Sequence, residues 1–247
     1  MARPPRPHTL AVDIGGSGVK AIVLDARGRP IGERVRVDTP RPATPARVLS
    51  CIRELVGRLG SFDRISVGFP GVVEDGVTKT APNLHRLWTR FDLAGALGRI
   101  FDRPVRALND AGIQGYGCIE GRGVEMLLTL GTGMGCALFV DGKYVPNLEL
   151  AHHPFRGDHT YEDWVGGKAY EKVGKKKWNE RVVEVVEQIE PIWNPRRIYL
   201  GGGNAKYLKI RQNQRVKIID NVAGLLGGIA LWNQAARAIA RPMRVSR

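Results

Sequence analysis

Residues 10–28 read L-A-V-D-I-G-G-S-G-V-K-A-I-V-L-D-A-R-G, and residues 125–142 read E-M-L-L-T-L-G-T-G-M-G-C-A-L-F-V-D-G. Each stretch consists of an apolar run, a glycine-rich turn, a second apolar run and a second turn. This pattern predicts two strands joined by a glycine loop. The two copies lie about 117 residues apart. The repetition indicates a duplicated α/β unit, with two lobes and a central cleft.

The segments around the two copies supply further elements. Apolar alternation and helical spacing predict strands over 30–37, 65–69, 104–108 and 198–200, and helices over 47–59, 91–101, 111–119, 181–189 and 221–240. We expect Gly60 to end the first of these helices. We therefore predict a small N-terminal α/β lobe over residues 1–108, completed by the C-terminal segment at about 230–247. A larger α/β lobe is expected over residues 109–229.

Composition narrows the class of protein. The 247 residues are 43% hydrophobic and 25% charged, which suits a folded domain with a core. The three cysteines are scattered and form no C-x-x-C pair, so a disulfide framework or a cysteine-based zinc site is disfavoured. Residues 1–8 are basic and proline-rich, and the longest uncharged stretch, residues 126–140, is too short to span a bilayer. We expect a cytoplasmic protein that does not enter a membrane.

The net charge points to several classes of partner. There are 38 Lys and Arg residues against 24 Asp and Glu residues, which leaves a formal charge of +14. A solvated basic surface explains such an excess, and so does binding to a polyanionic ligand, to nucleic acid or to an anionic membrane.

The two glycine loops are candidate phosphate sites. Glycines permit positive φ and close backbone approach, so successive N–H groups can converge on an anion. A plain hairpin turn is the alternative for each loop alone. Neither loop is a Walker A motif or a dinucleotide fingerprint. The candidate phosphate-binding residues are Asp13, Gly15, Gly16, Ser17, Gly18 and Lys20 in the first copy, and Gly131, Thr132 and Gly133 in the second.

Two further segments carry polar chemistry. Asp110, in L-N-D at a predicted strand end, can accept a proton from a substrate hydroxyl, and Asn109 can bond sugar hydroxyls. A helix N-cap is the alternative for this pair. In E-L-A-H-H-P, Glu149 and His152 can bond vicinal hydroxyls, as can Glu162 further on. A surface or capping role remains open for the histidines, and the His and Asp spacing here matches no standard metal site.

In this order and spacing, the motifs resemble the ROK family of sugar kinases, and within it the polyphosphate glucokinases. The resemblance runs from Leu10 to about Ala240 and implies an actin/hexokinase-like (ribonuclease H-like) fold. It rests on the motifs D-I-G-G-S-G-V-K, S-V-G-F-P-G-V-V, A-P-N-L, L-N-D, L-T-L-G-T-G-M-G, E-L-A-H and Y-L-G-G-G-N. It implies Asp110 as the catalytic base. It also implies sugar contacts from Asn83, Asn109, Glu149, His152 and Glu162, and places Gly202 and Gly203 near the donor.

The resemblance implies phosphoryl transfer from polyphosphate, ATP or both to the 6-hydroxyl of glucose or a similar hexose, with Mg²⁺. Two departures bear on this. The cysteine-rich zinc loop of many ROK proteins is replaced by P-F-R-G-D-H-T, so no zinc is expected. Gly112 stands where the polyphosphate glucokinases commonly have a second Asp. No helix-turn-helix precedes Leu10, so a repressor that binds nucleic acid is not expected. Relatives often form homodimers, and the sequence leaves this open.

The donor is the least determined feature. A basic groove leading from the phosphate loops would bind polyphosphate as a nucleic-acid backbone is bound. An ATP-dependent ROK hexokinase is the alternative, and a non-catalytic polyanion-binding or nucleic-acid-binding module on a kinase fold is the alternative of another class. The candidate groove residues are Lys168, Lys172, Lys175, Lys176, Lys177, Arg181, Arg196, Arg197, Lys206, Lys209, Arg211, Arg215 and Lys217.

Overall fold

The computed structural model describes residues 7–219 and 227–232. They divide into two compact units, the first made of residues 7–117 and 227–232 and the second of residues 118–219. The lobe boundaries after residues 108 and 229 stay predictions. Most of the helix expected over 221–240, and of the segment at 230–247, lies outside the described residues. Residues Gly227–Trp232 form a 3-10 helix.

The first unit has eight strands and three α-helices. In chain order these are β1 (Thr9–Ile14), β2 (Gly18–Leu24), β3 (Pro30–Asp38), α1 (Pro45–Val56), β4 (Arg64–Phe69), β5 (Val73–Glu74), β6 (Val77–Thr78), β7 (Phe91–Asp92), α2 (Leu93–Phe101), β8 (Val105–Asn109) and α3 (Asp110–Tyr116).

One five-stranded sheet organises this unit. Its order is β3-β2-β1-β4-β8; β2 is antiparallel to β1 and β3, while β1, β4 and β8 are parallel. The register pairs Asp13 with Gly68, and Gly68 with Leu108. The carboxyl ends of the three parallel strands therefore meet at one edge, where ligand sites of open α/β sheets occur.

The core of this unit explains why the edge is rigid. Strands β1 and β2 are almost completely buried. Trp88 is fully buried against Phe69 at a ring-centroid distance of 5.0 Å. The Trp88 indole Nε1 donates to Ala43 O over 2.8 Å, so its one polar atom is satisfied. Close packing of this kind holds the strand ends in place.

The second unit has seven strands and two α-helices. In chain order these are β9 (Val124–Leu130), β10 (Met134–Val140), β11 (Lys143–Val145), β12 (Pro154–Arg156), β13 (His159–Thr160), α4 (Tyr161–Val165), α5 (Gly167–Trp193), β14 (Arg197–Gly201) and β15 (Val216–Ile218).

The sheet of the second unit repeats the first. Its order is β11-β10-β9-β14-β15, with β10 antiparallel to both neighbours and with β9, β14 and β15 parallel. The hairpin β9–β10 occupies the place that β1–β2 occupies in the first sheet. The duplicated α/β unit predicted from the two glycine motifs is confirmed.

Four helices differ from their predicted bounds. Helix α2 begins at Leu93 instead of residue 91, and α3 covers Asp110–Tyr116 instead of residues 111–119. Helix α1 starts two residues earlier, with Pro45 in its first turn, and ends at Val56, before the predicted Gly60. The next residues continue in tighter turns, in which Leu59 N donates to Val56 O, so the apolar spacing outlasts the α-helix. Helix α5 covers 27 residues instead of the nine predicted, and it is broken at Gly174, whose φ of 73° and ψ of 167° are not helical. Its first half is rich in lysine and carries only a weak apolar pattern, so periodicity detected the second half alone.

Among the residues that the structure describes, no helix combines the length and the apolar character that crossing a membrane requires.

Candidate active site

The first glycine loop, residues 15–18 (loop 1), is fastened by its carbonyl oxygens. Gly15 N donates to Gly18 O over 3.0 Å and closes the hairpin turn. The carbonyl of Gly15 accepts from Thr39 Oγ1 at 2.5 Å, and those of Gly16 and Ser17 accept from Arg41 and Arg36, each at 3.3 Å. The end of β3 and the residues that follow it therefore set the orientation of the loop. Arg41 also adds positive charge beside a loop suited to anions, whereas Arg36 is ion-paired with Asp38 at 2.8 Å.

Asp13 and Lys20 face each other across the first hairpin. They are register partners in β1 and β2, and Lys20 Nζ lies 2.8 Å from Asp13 Oδ2. About a quarter of each side chain is exposed to solvent. The pair partly neutralises itself, so Lys20 supplies less free positive charge at loop 1 than its sequence position suggests.

Asp110 stands at the same sheet edge. It is the first residue of α3, directly after β8, and its Oδ1 accepts from Ala111 N at 2.7 Å. A Cβ placed on Gly68 would lie 3.4 Å from Asp110 Cα, so β4 and the start of α3 are in van der Waals contact at this point. Since Gly68 is also the register partner of Asp13, both carboxylates flank the same point of the sheet.

The two asparagines predicted to contact sugar have different surroundings. Asn109 caps α3: its Oδ1 accepts from Gly112 N at 3.2 Å, and its Nδ2 donates to Gly71 O at 3.3 Å. The capping alternative is therefore realised for Asn109, and its role toward a sugar stays a prediction. Asn83 lies against loop 1, with its Cβ 3.5 Å from the position of a Cβ on Gly16.

The second glycine loop, residues 131–133 (loop 2), is held in a similar way. The carbonyls of Leu130 and Gly131 accept from the backbone N and the side-chain Nδ2 of Asn204, at 2.8 and 3.1 Å. The carbonyl of Thr132 accepts from Gly167 N at 3.0 Å, at the start of α5. As in loop 1, the carbonyl oxygens are used for anchoring.

The glycines after β14 are brought to loop 2 as well. Gly202 has a φ of 88°, and a Cβ there would lie 2.4 Å from Leu130 O, so no other residue fits. A Cβ on Gly203 would meet no atom within 4 Å. Gly202 therefore serves the packing of loop 2, and a direct phosphate contact by either glycine stays a prediction.

Three predicted sugar ligands form one cluster in the second unit. His152 Nε2 lies 3.7 Å from Glu149 Oε2, and Glu162 Oε2 accepts from Met134 N, just after loop 2, at 3.0 Å. Burial raises the pKa of Glu149, the nearby His152 opposes this rise, and the charge of Glu162 adds to it. A desolvated carboxylate beside a second one and an imidazole is suited to accepting hydrogen bonds from hydroxyl groups.

The predicted basic groove is distributed differently by the structure. Glu120 gathers three of its members, with ion pairs of 2.8 Å to Arg196, 3.0 Å to Arg197 and 3.3 Å to Lys217. Arg181 packs over the ring of Trp164 at 4.0 Å. These four cations are therefore already engaged within the second unit.

Sequence reasoning did not single out Thr39, Arg36, Arg41 or Asn204. They act on backbone carbonyls from outside the motifs, so neither spacing nor composition marks them. The motif Y-L-G-G-G-N includes Asn204, but the two hydrogen bonds that Asn204 donates to the carbonyls of Leu130 and Gly131 are visible only in three dimensions.

The donor set at loop 1 is compatible with Mg²⁺. Within the described ranges, no group of three or more His, Cys, Asp or Glu side chains could hold a metal ion. Mg²⁺ bound with a phosphorylated substrate needs only one or two protein carboxylates, because phosphate oxygens and water complete its octahedron. Asp13, beside loop 1, meets that requirement, and the predicted absence of zinc stays a prediction.

Comparison with known proteins places the chain among sugar kinases. The sequence profile of the ROK family matches residues 9–147. Polyphosphate glucokinase from Mycobacterium tuberculosis is 33% identical, over 89% of this chain and 89% of that protein. The inorganic polyphosphate/ATP-glucomannokinase from Arthrobacter sp. strain KM superposes with a TM-score of 0.84 at 30% identity, over 92% of this chain and 100% of that one.

A more distant structure shares the fold. The ROK family glucokinase from Streptomyces griseus, solved with glucose and AMPPNP, superposes with a TM-score of 0.76 at 19% identity, over 91% of this chain and 98% of that one. The actin/hexokinase-like fold predicted from the motifs is confirmed by these superpositions.

Proposed function

The chain belongs to the ROK family, and from that premise we propose that it is a polyphosphate-dependent glucokinase. It transfers a phosphoryl group from polyphosphate to the 6-hydroxyl of glucose. The observation that carries the proposal is the placement of Asp110 and Asp13 around Gly68, at the edge of the sheet that also bears loop 1. A proton acceptor and an anion-binding loop at one edge are what phosphoryl transfer to a hydroxyl requires.

Asp110 is the general base in this proposal. Its Oδ1 accepts from Ala111 N, which stabilises the ionised carboxylate and fixes its rotamer. The Asp110 carboxylate takes the proton from the sugar hydroxyl. Phosphoryl transfer needs little covalent help from the protein, so the remaining residues act by positioning and by charge.

The sugar is held by hydrogen-bonding side chains. Glu149, His152 and Glu162 provide acceptors and an imidazole within one cluster, and Asn83 adds an amide beside loop 1. We retain Asn109 as a fifth contact through the N–H of Nδ2 that its bond to Gly71 leaves over. Burial of Glu149 costs stability in the absence of ligand, which is common at functional sites.

The donor phosphates bind at the glycine loops. With their carbonyl oxygens anchored, loops 1 and 2 keep a fixed backbone geometry, and preorganised N–H groups stabilise developing charge better than mobile ones. Mg²⁺ held near Asp13, when bound, supplies charge neutralisation on the transferred phosphoryl group. Arg41 adds positive charge beside loop 1.

ATP is proposed as a second donor. The Arthrobacter protein that superposes over 92% of this chain is named for both polyphosphate and ATP. The reading as a non-catalytic nucleic-acid module has no comparable support, since Asp110 and both loops are present with ordered surroundings.

A matrix of donors against sugars tests the function. Purified protein is assayed for sugar 6-phosphate with polyphosphate or ATP as donor, and with glucose, mannose and N-acetylmannosamine as acceptors. Polyphosphate-dependent formation of glucose 6-phosphate, lost in Asp110→Asn, is the expected result. If polyphosphate yields no sugar 6-phosphate with any of the sugars, the proposed donor is refuted. Full activity of Asp110→Asn would refute the assigned base.

Two minor properties complete the proposal. The cytoplasm is the proposed compartment, because the free thiols of Cys51, Cys118 and Cys136 suit a reducing environment. We also propose a homodimer, because relatives often form homodimers, and sedimentation analysis tests it.

A further inference from the structure

Two lysines of the second unit share one aromatic ring. Lys206 Nζ lies 4.9 Å and Lys175 Nζ 5.7 Å from the centroid of the Tyr207 ring. The two ammonium groups are thus no more than about 11 Å apart, and both side chains are exposed. In the part of the chain that the structure describes, no carboxylate pairs with either lysine within 4.0 Å. The ring attracts both cations but leaves their charge in place.

A buried asparagine holds the surrounding backbone together. Asn179 Nδ2 donates to Lys175 O at 2.8 Å and to Tyr207 O at 3.2 Å, and its Oδ1 accepts from Lys209 N at 2.5 Å. Three lysines from two separate segments are therefore kept on one surface. We call Lys175, Lys206 and Lys209 the lysine patch.

The patch is continuous with loop 2. Tyr207 N donates to Asn204 O at 2.9 Å, and Asn204 is the residue that bonds the carbonyls of loop 2. The ring of Tyr207 also stacks on Tyr170, in the first turns of α5, at 5.1 Å and 13°. Helix α5 begins at loop 2 through the bond from Gly167 N to Thr132 O. Both segments that carry the patch thus start at the proposed phosphate loop.

Four other basic residues of this unit are engaged elsewhere. Arg196, Arg197 and Lys217 surround Glu120, and Arg181 lies on Trp164. Among the described residues, Lys175, Lys206 and Lys209 by contrast have no carboxylate within 4.0 Å.

We propose that the lysine patch binds the part of a polyphosphate donor that extends beyond the phosphates at loop 2. The proposal rests on the proposed function and assigns its donor specificity to named residues. A linear polyphosphate carries negative charge on every phosphate, and compact ammonium groups on flexible stems suit a chain that has to slide after each transfer.

The aromatic ring favours polyphosphate over single-stranded nucleic acid as the occupant. Proteins that bind single strands present open aromatic faces on which bases stack. The Tyr207 ring is stacked against Tyr170 and has lysine ammonium groups over it, so it offers no open platform for a base.

The test compares two double variants with equal loss of charge. Lys175→Gln/Lys206→Gln removes two cations of the patch, and Arg196→Gln/Lys217→Gln removes two cations paired with Glu120. The KM for polyphosphate fractions of increasing length is measured at several KCl concentrations, with glucose saturating. Circular dichroism melts verify that both variants are folded.

We expect the patch variant to raise the KM for long-chain polyphosphate about tenfold, as for the loss of two exposed ion pairs. The rise should be smaller for tripolyphosphate, which is too short to reach far beyond loop 2. The slope of log KM against log[KCl] should fall by about 1.4, since a single-stranded polyanion releases about 0.7 counterion per contact. The control variant should match the wild type in both readouts.

Four results would overturn the proposal. If the wild type is active and the patch variant has an unchanged KM for long-chain polyphosphate, the role of the patch is refuted while the proposed function stands. An equal effect of both double variants shows that net charge, not the patch, binds the donor. DNA binding lost in the patch variant with polyphosphate kinetics intact assigns the surface to nucleic acid. Absence of polyphosphate turnover in the wild type itself refutes the proposed function and the patch together.

Discussion

Replacing Gly133 by alanine tests how loop 2 positions a sugar ligand. A Cβ on Gly133 would lie 2.1 Å from Glu162 Oε2, whereas ordinary contact begins at 3.4 Å. Neither Gly133 nor Gly131 has a left-handed φ, so alanine brings no backbone strain at either position. The Glu162 carboxylate must therefore retreat by about 1.3 Å and give up its bond from Met134 N.

The expected loss is large for activity and small for stability. A misplacement of about 1 Å costs about 10²-fold in rate, equivalent to about 2.7 kcal/mol of transition-state stabilisation. The bond between Glu162 and Met134 N is partly exposed to water, so its loss should cost about 1 kcal/mol of folding free energy. Gly133→Ala should thus lower kcat/KM for glucose about 100-fold with a shift of only a few degrees in Tm.

Gly131→Ala is the matched control in the same loop. A Cβ on Gly131 would meet no atom within 4 Å, so Glu162 stays in place. Initial rates are measured over a range of glucose concentrations with saturating donor. A wild-type kcat/KM for glucose in Gly133→Ala, or an equal rise of the glucose KM in Gly131→Ala, would refute the reasoning.

Three further variants test other parts of the structure. Asp110→Asn should lower kcat about 10²–10⁴-fold with an unchanged Tm, since asparagine still accepts from Ala111 N; a Tm drop of many degrees would contradict this. Gly174→Ala should destabilise the protein by about 1–3 kcal/mol in urea titrations, because a φ of 73° with a ψ of 167° suits glycine only. No atom lies near the added Cβ, so this cost comes from the backbone and not from a clash. Gly60→Ala, with equal space and no left-handed φ, is its control. Glu149→Gln should raise stability at neutral pH. Burial raises the folded-state pKa of Glu149, so its contribution is favourable below the unfolded-state value and is lost as pH rises through the folded-state value. The advantage of the variant should therefore shrink on acidification, and an advantage independent of pH would show that the buried charge is not its cause.

Local patterns were sufficient for the hairpins and poor for helix ends. Strands β1, β2, β9 and β10 are buried almost continuously and are written as short apolar runs, so the sequence predicts these strands within a few positions. Helix α5 was underpredicted because its stability comes from packing of Trp178 and the residues after it, while its first half presents lysines to solvent. Tertiary packing decides such a helix.

The candidate site divides along the same line. Asp110, Glu149, His152 and Glu162 could be named from motifs, because chemistry selects residue types. Their partners could not be named in this way. The structure shows that Asp13 is paired with Lys20, that Asn109 caps α3 and that Glu120 forms ion pairs with three cations. The partners of Glu120 come from segments far apart in the chain.

The amino-acid order alone determined the duplicated α/β architecture, the two glycine loops and the carboxylate proposed as base, since each is written in a short run of residues. The tertiary structure alone decided which cations stay without a carboxylate partner and which backbone carbonyls are anchored. Those outcomes depend on long-range pairing such as that of Asn204 with Gly131, and a local pattern carries no record of a partner 73 positions away.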